Sequence, residues 1–165
     1  MRPVAPRPLE PPDDLVGFSC GRADRDDWLI KRALVAQRAH VARTYVVVDA
    51  DRSPPAVVGY YTISTSILEP VPASPASAGS GVGVSPPPVV RAVVLERLAV
   101  DRRTQGQGLG RALLRDAVLR AERVARRTGA RVLLVRAPDD DAVRFLRLAG
   151  LRPLPGHPAL LYHRL

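Results

Sequence analysis

Aromatic residues make up only 4% of this 165-residue sequence, with one Trp, two Phe and four Tyr. Its core must therefore be built from Val, Leu, Ile and Ala. Cysteine is scarcer still. Cys20 stands alone and cannot close an intrachain disulfide. The first twelve residues are too proline-rich for a signal peptide, so the expected location is the cytoplasm. No apolar run reaches the roughly 18 residues that a membrane span needs, which excludes a membrane-embedded role. The three histidines, His40, His157 and His163, are scattered without metal-ligand spacing, so no metal site is expected. Lysine is nearly absent: of 25 basic residues, all but Lys31 are arginine.

A GC-rich genome accounts for the arginine-for-lysine bias, but not for the excess of 25 basic over 16 acidic residues, a net charge of +9. Arginine binds phosphate in a planar, bidentate manner, so the excess points to a phosphate-bearing partner. The length suits one domain over residues 1–165. Within it, 69–88 is made almost wholly of Pro, Ser, Ala, Gly and Val, and reads as a flexible loop.

Acidic Asp24, Asp26 and Asp27 ahead of Trp28 mark a helix start, with the helix running to about Val41. Its apolar residues spread around the wheel, which suits two short helices or one buried on more than one side. Residues 44–49 (TYVVVD) and 56–68 (AVVGYYTISTSIL) read as a hairpin. In the second strand Tyr60 and Tyr61 alternate, so one should be buried and the other is available to a cleft. A third strand covers 89–100. Over 107–128, Leu113, Leu114, Ala117, Val118, Ala121, Val124 and Ala125 share one helix face, with arginines opposite. Strand 131–136, a helix over 139–149 and two closing strands at 151–154 and 159–165 complete a mixed α/β sheet protein.

Between the third strand and the long helix lies Leu98-Ala99-Val100-Asp101-Arg102-Arg103-Thr104-Gln105-Gly106-Gln107-Gly108-Leu109-Gly110-Arg111. Glycines admit a ligand close to the backbone, and N–H groups at a helix start hold anions, so a phosphate group is expected here. A nucleotide P-loop needs Gly-Lys-Ser/Thr, whereas this chain has Gly110-Arg111-Ala112. A dinucleotide fold needs G-x-G-x-x-G and an acidic residue closing the next strand; here the spacing is G-x-G-x-G and that residue is Arg136.

The run Q-x-x-G-x-G after L-A-V-D resembles the acyl-CoA signature of the GCN5-related N-acetyltransferase (GNAT) superfamily. Phe18-Ser19-Cys20-Gly21, Asp26-Asp27-Trp28-Leu29, Arg43-Thr44-Tyr45-Val46 and Val58-Gly59-Tyr60-Tyr61 extend the likeness across residues 9–152 to the acetyltransferase toxins of toxin–antitoxin modules. The resemblance implies a mixed α+β fold. Its central sheet is mostly antiparallel, splayed at the acetyl-CoA site and flanked by helices. It implies that Leu98, Ala99 and Val100 meet the pantetheine arm. Gln105, Gly106, Gln107, Gly108, Leu109, Gly110 and Arg111 would hold the pyrophosphate. It also implies acetyl-CoA as co-substrate and aminoacyl-tRNA as acceptor. A ribbon-helix-helix antitoxin and a homodimer complete the expectation.

The sequence departs from that family at one position. The toxins carry Phe-Tyr on the last helix, the tyrosine serving as general acid; here Phe145 keeps the register and Leu146 stands in the tyrosine's place. Losing such an acid typically costs about 10²- to 10⁴-fold. Two residues are candidate replacements: Glu96, on the strand beside the cofactor, and Tyr162, on the last strand. The alternatives to a toxin are an impaired acetyl-CoA- or RNA-binding protein of the same fold, or an acetyltransferase for a protein or small amine. Arg102, Arg103, Arg115 and Arg123 are the expected RNA contacts.

Overall fold

A computed structural model describes residues 3–68 and 89–165, so the expected loop at 69–88 lies outside the described residues. Among the described residues, seven strands form one sheet: β1 (Arg7–Pro8), β2 (Arg43–Asp49), β3 (Ala56–Leu68), β4 (Val90–Val100), β5 (Val132–Arg136), β6 (Arg152–Leu154) and β7 (His157–Arg164). Their order is β1-β2-β3-β4-β5-β7-β6, and only β4 and β5 run parallel. A parallel pair needs a crossover. Here α3 (Leu109–Thr128) supplies it.

Helices lie on both faces, which explains why β2 and the first eight residues of β3 are buried almost throughout instead of alternating. One core packs α3 and α4 (Asp140–Leu148) against the sheet through Leu113, Leu114, Ala117, Leu133, Val135 and Leu161. The other gathers Leu9, Phe18, Leu29, Ala33, Val46 and Tyr60 beneath the N-terminal helices. Tyr60 and Tyr61 are thus both fully buried, and neither is left to a cleft. Tyr60 meets Phe18 edge-on at 5.7 Å and donates to the Arg25 carbonyl. Tyr61 stacks on Tyr45 and donates to Asp116.

The N-terminal helix is continuous but irregular. α1 (Ala23–Asp27) passes through a π-helical turn (Trp28–Arg32) into α2 (Ala33–Arg38), stopping short of the expected Val41. A wider turn shifts the residues that follow around the axis. It brings Leu29 and Ala33 to the core, which accounts for apolar positions that fit no single straight stripe. β1, with a proline in two residues, gave no strand signal and pairs only at the sheet edge, where proline is tolerated.

Candidate functional site

The pairing of β4 with β5 ends at Leu95↔Val135. Beyond that point β4 stays with β3 as far as Val100↔Gly59, while Arg136 pairs with Leu160 of β7. The two parallel strands therefore part and leave one edge of residues 96–100 without a strand partner. Glu96 marks the opening. The β3–β4 register steps from Thr62↔Arg97 to Ile63↔Leu95, so Glu96 is the extra residue of a β-bulge. Bulges bend a strand and re-aim side chains, and they gather beside active sites.

The cleft so formed is lined by Leu98, Ala137, Phe145, Leu146 and Arg25. Phe145 also borders a second hollow with Val100, Gly106, Gly108, Gly110 and Arg111, so the splay and the glycine loop adjoin across its ring. α3 starts at Leu109, two residues later than expected, because Gly108 takes a left-handed φ of 82°. No side chain caps that helix start and no acidic residue lies in its first turn, while Arg111 adds a positive charge. A pyrophosphate fits these features. A β-strand edge fits an amide-bearing arm. The residues present therefore suit a CoA-type co-substrate.

The loop's shape is set by the segment before α1. The Asp101 carboxylate accepts from the backbone N–H of Ser19 and Arg103 and from the Arg103 guanidinium. Arg102 N–H donates to Ser19 O at 2.8 Å. Gln105 Nε2 donates to Cys20 O at 3.0 Å and Val100 O at 2.9 Å. Gly21 takes a φ of +94°, and a Cβ there would come within 2.8 Å of the Arg102 guanidinium. Phe18-Ser19-Cys20-Gly21 and Asp101 to Gln105, far apart in the sequence, are thus one clamp. Gln105 spends its side chain on it, leaving only its backbone for a phosphate.

Burial pushes the Asp101 carboxyl up, but Arg103 and the two backbone N–H groups outweigh it and hold it below the ordinary value. Burial, then Asp26, pushes the Cys20 thiol up to about 11, and its side chain packs against the core beneath the N-terminal helices.

The candidates for catalysis separate. Glu96 accepts from Ser64 Oγ at 2.6 Å and lies 4.0 Å from Arg97, at the cleft. Tyr162 pairs with Leu134 on β7, two strands from β4. Leu133 and Val135 face α3, so Leu134 and Tyr162 face the opposite side. Leu146 belongs to the α3–α4 core and is 4% exposed. Tyr162 and Leu146 therefore lie on opposite faces of the sheet.

Of the arginines expected to meet RNA, Arg115 and Arg123 are exposed on α3. Arg103 is committed to Asp101 and to the Gly17 carbonyl. Arg120, read from the sequence as part of the polar face, is half-buried; it lies 4.0 Å over the Tyr45 ring and bonds Asp116 and Pro6. Arg25 escaped the sequence reading. It stood among the acids of a helix start, and nothing local showed that its guanidinium reaches the Leu98 carbonyl. Among the described residues, no group of three His, Cys, Asp or Glu could hold a metal ion, and no helix is long and apolar enough to cross a membrane.

Comparison with known proteins places this geometry. Residues 19–151 match the acetyltransferase (GNAT) family. A tRNA-acetylating toxin of Mycobacterium tuberculosis is 38% identical over 141 residues, covering 86% of this chain and 80% of that one. A probable toxin TacT of Sinorhizobium fredii is 28% identical, covering 96% and 91%. A Tyr-to-Phe mutant of the toxin AtaT, bound to the C-terminus of the antitoxin AtaR and acetyl-CoA, superimposes with a TM-score of 0.79 at 26% identity, covering 97% of this chain and 92% of that one. The cleft between β4 and β5, the glycine loop adjoining it and these likenesses agree: the chain belongs to the GNAT acetyltransferase family.

Proposed function

We propose that this protein is a toxin that transfers acetyl from acetyl-CoA to the α-amino group of aminoacyl-tRNA and so blocks translation. The observation that carries the proposal is the cleft at the unpaired edge of β4 adjoining the uncapped start of α3, in a chain 38% identical to a tRNA-acetylating toxin. The backbone of Leu98, Ala99 and Val100 holds the pantetheine arm. Gly106, Gln107, Gly108, Leu109 and Gly110, with the backbone of Gln105 and the side chain of Arg111, hold the pyrophosphate. Arg115 and Arg123, joined by Arg102 near the loop, meet the tRNA phosphates. The same proposal includes a cytoplasmic homodimer neutralised by a ribbon-helix-helix antitoxin.

The missing tyrosine does not forbid this chemistry. An α-amino group titrates near ~7.7–8.0, so much of it is already neutral at cellular pH. A thiol with a pKa near ~8.5 leaves readily. Holding amine and thioester in register supplies most of the remaining acceleration. Glu96, at the bulge, accepts the amine's proton directly or through water, exchanging its Ser64 contact to do so. Tyr162 stands farther off and is the weaker of the two.

The test is transfer of labelled acetyl from acetyl-CoA to a pool of charged tRNA by the purified protein, with uncharged tRNA as control. Label on charged tRNA alone is the expected result. The apolar Leu146 at the cleft favours one other reading, a protein of the same fold that binds acetyl-CoA without turnover. Acetyl-CoA binding with no label on any amine would establish that reading in place of the first.

A further inference from the structure

Arg25 approaches the splay from α1, on the sheet face opposite α4. Its Nη1 donates to the carbonyl oxygen of Leu98, on the edge of β4 that β5 has left. The residue is held in place from behind: Tyr60, fully buried, donates to the Arg25 carbonyl at 2.8 Å, and Asp26 ties the same helix turn to Ser19 and Cys20. Among the described residues the guanidinium makes no ion pair and no second hydrogen bond. Glu96, the carboxylate in the same cleft, is turned to Ser64 and Arg97. A guanidinium has five N–H donors in a fixed plane and stays charged at any physiological pH. Arg25 thus presents an unneutralised charge with unspent donors to the cleft that Leu146 also lines.

We propose that Arg25 stabilises the negative charge that collects on the CoA sulfur during acetyl transfer, electrostatically replacing the proton donor that Leu146 cannot be. The proposal rests on the acetyl-CoA reading of the groove, though not on the identity of the acceptor amine. In the step, the amine nitrogen bonds to the acetyl carbon and the carbon–sulfur bond breaks. The bonding pair leaves on sulfur as thiolate beside Arg25, and the surplus proton on nitrogen passes to Glu96 or water. No proton needs to reach the sulfur before it leaves. The same positive charge also disfavours an incoming ammonium, which enriches the neutral, reactive amine. Arg97 stacks 3.8 Å over the Trp28 ring and also lines the cleft, so it adds to that field.

The experiment is titration of the thiol of CoA bound to the protein, followed by the ultraviolet absorbance of the thiolate, for the wild type, Arg25→Met and Arg25→Lys. Steady-state transfer by each protein is measured alongside. An opposite charge within contact range typically lowers a pKa by about 1–3 units, so the wild-type bound thiol should titrate ~1–2 units below free CoA. Arg25→Met should return it to the free value and lower kcat by about 10²-fold, with acetyl-CoA affinity changed only a few-fold. Arg25→Lys should keep most of the thiol shift. An unshifted thiol in the wild type, or an equal shift in Arg25→Met, overturns the proposal. Tighter acetyl-CoA binding with undiminished kcat in Arg25→Met overturns it too, since Arg25 would then be an obstacle displaced from Leu98. So does loss of CoA binding in both variants, which would make Arg25 a holder of the arm. If the wild type shows the thiol shift but leaves charged tRNA unlabelled, the toxin function fails and the role of Arg25 stands.

Discussion

Asp101 carries more of the site's architecture than any group that would touch the ligand. Its side chain is 1% exposed, yet it stays ionised because the Arg103 guanidinium and two backbone N–H groups face it. A carboxyl held below its unfolded value of 3.8 contributes stability that is present above that pH and is lost as the pH falls through the folded value. Arg103 is half exposed, which screens part of the attraction. Asp101→Asn keeps one acceptor oxygen and loses the charge, at an expected cost of about 2 kcal/mol near neutral pH. That corresponds to a Tm lower by roughly 4–8 °C for a chain of this size. Thermal melts across pH check it. The wild-type and variant curves should begin to approach each other as the pH falls below about 4 and meet only below the folded value, and a difference constant down to strong acid would show that charge is not what Asp101 contributes.

At the scale of elements, the start of α3 is placed by how closely it lies on β3. A Cβ added at Gly59 would meet Leu113 Cδ1 at 3.0 Å and Leu109 Cδ2 at 3.3 Å. Leu109 is the first residue of the helix and the last but one of the glycine motif, so that contact sets where the loop amides point. Gly59→Val should destabilise by about 1–3 kcal/mol through overpacking. Because it pushes on the ligand end of the helix, it should also weaken acetyl-CoA binding by ~10-fold or more, the scale on which small misplacements cost function. Calorimetric titration beside a comparable overpacking change at Ala121, farther along the same helix, separates the two effects. Equal affinity losses in both variants would reduce the role of Gly59 to general stability.

For the whole molecule the governing quantity is the charge of +9, carried almost wholly by arginine. Some of that arginine is internal structure: Arg103 holds Asp101, and Arg120 spans Tyr45, Asp116 and Pro6. Others pair at the surface, as Arg22 does with Asp139 and Arg144 with Asp141, while Arg115 and Arg123 stand exposed on α3 and can meet phosphate. Affinity for charged tRNA should therefore fall steeply with salt, and the log–log slope should shrink by about 0.7–0.9 for each phosphate contact removed. Arg115→Gln and Arg123→Gln should each show that loss at constant kcat. Arg103→Gln should instead lower stability, because its guanidinium is already paired. Filter binding over a salt series measures the slopes. An unchanged slope in both α3 variants would move the RNA footprint elsewhere.

The sequence alone determined whatever a local pattern can encode. Strand β3 was read with its ends intact, α3 showed in its 3.6-residue stripe, and the glycine motif with its neighbours identified the family. Each is a matter of periodicity or of consecutive backbone, which neighbouring residues specify among themselves. Tertiary structure decided what depends on residues far apart in the chain. Neither Tyr60 nor Tyr61 is left to a cleft, because helices cover both sheet faces. Gln105 and Arg103 turned inward because residues 17–21 fold back onto their loop. Arg25 reached Leu98 across 73 positions of sequence, onto an edge that exists only where β4 and β5 separate. A side chain's partner over that distance is set by how the sheet and helices pack, and no spacing along the chain records it.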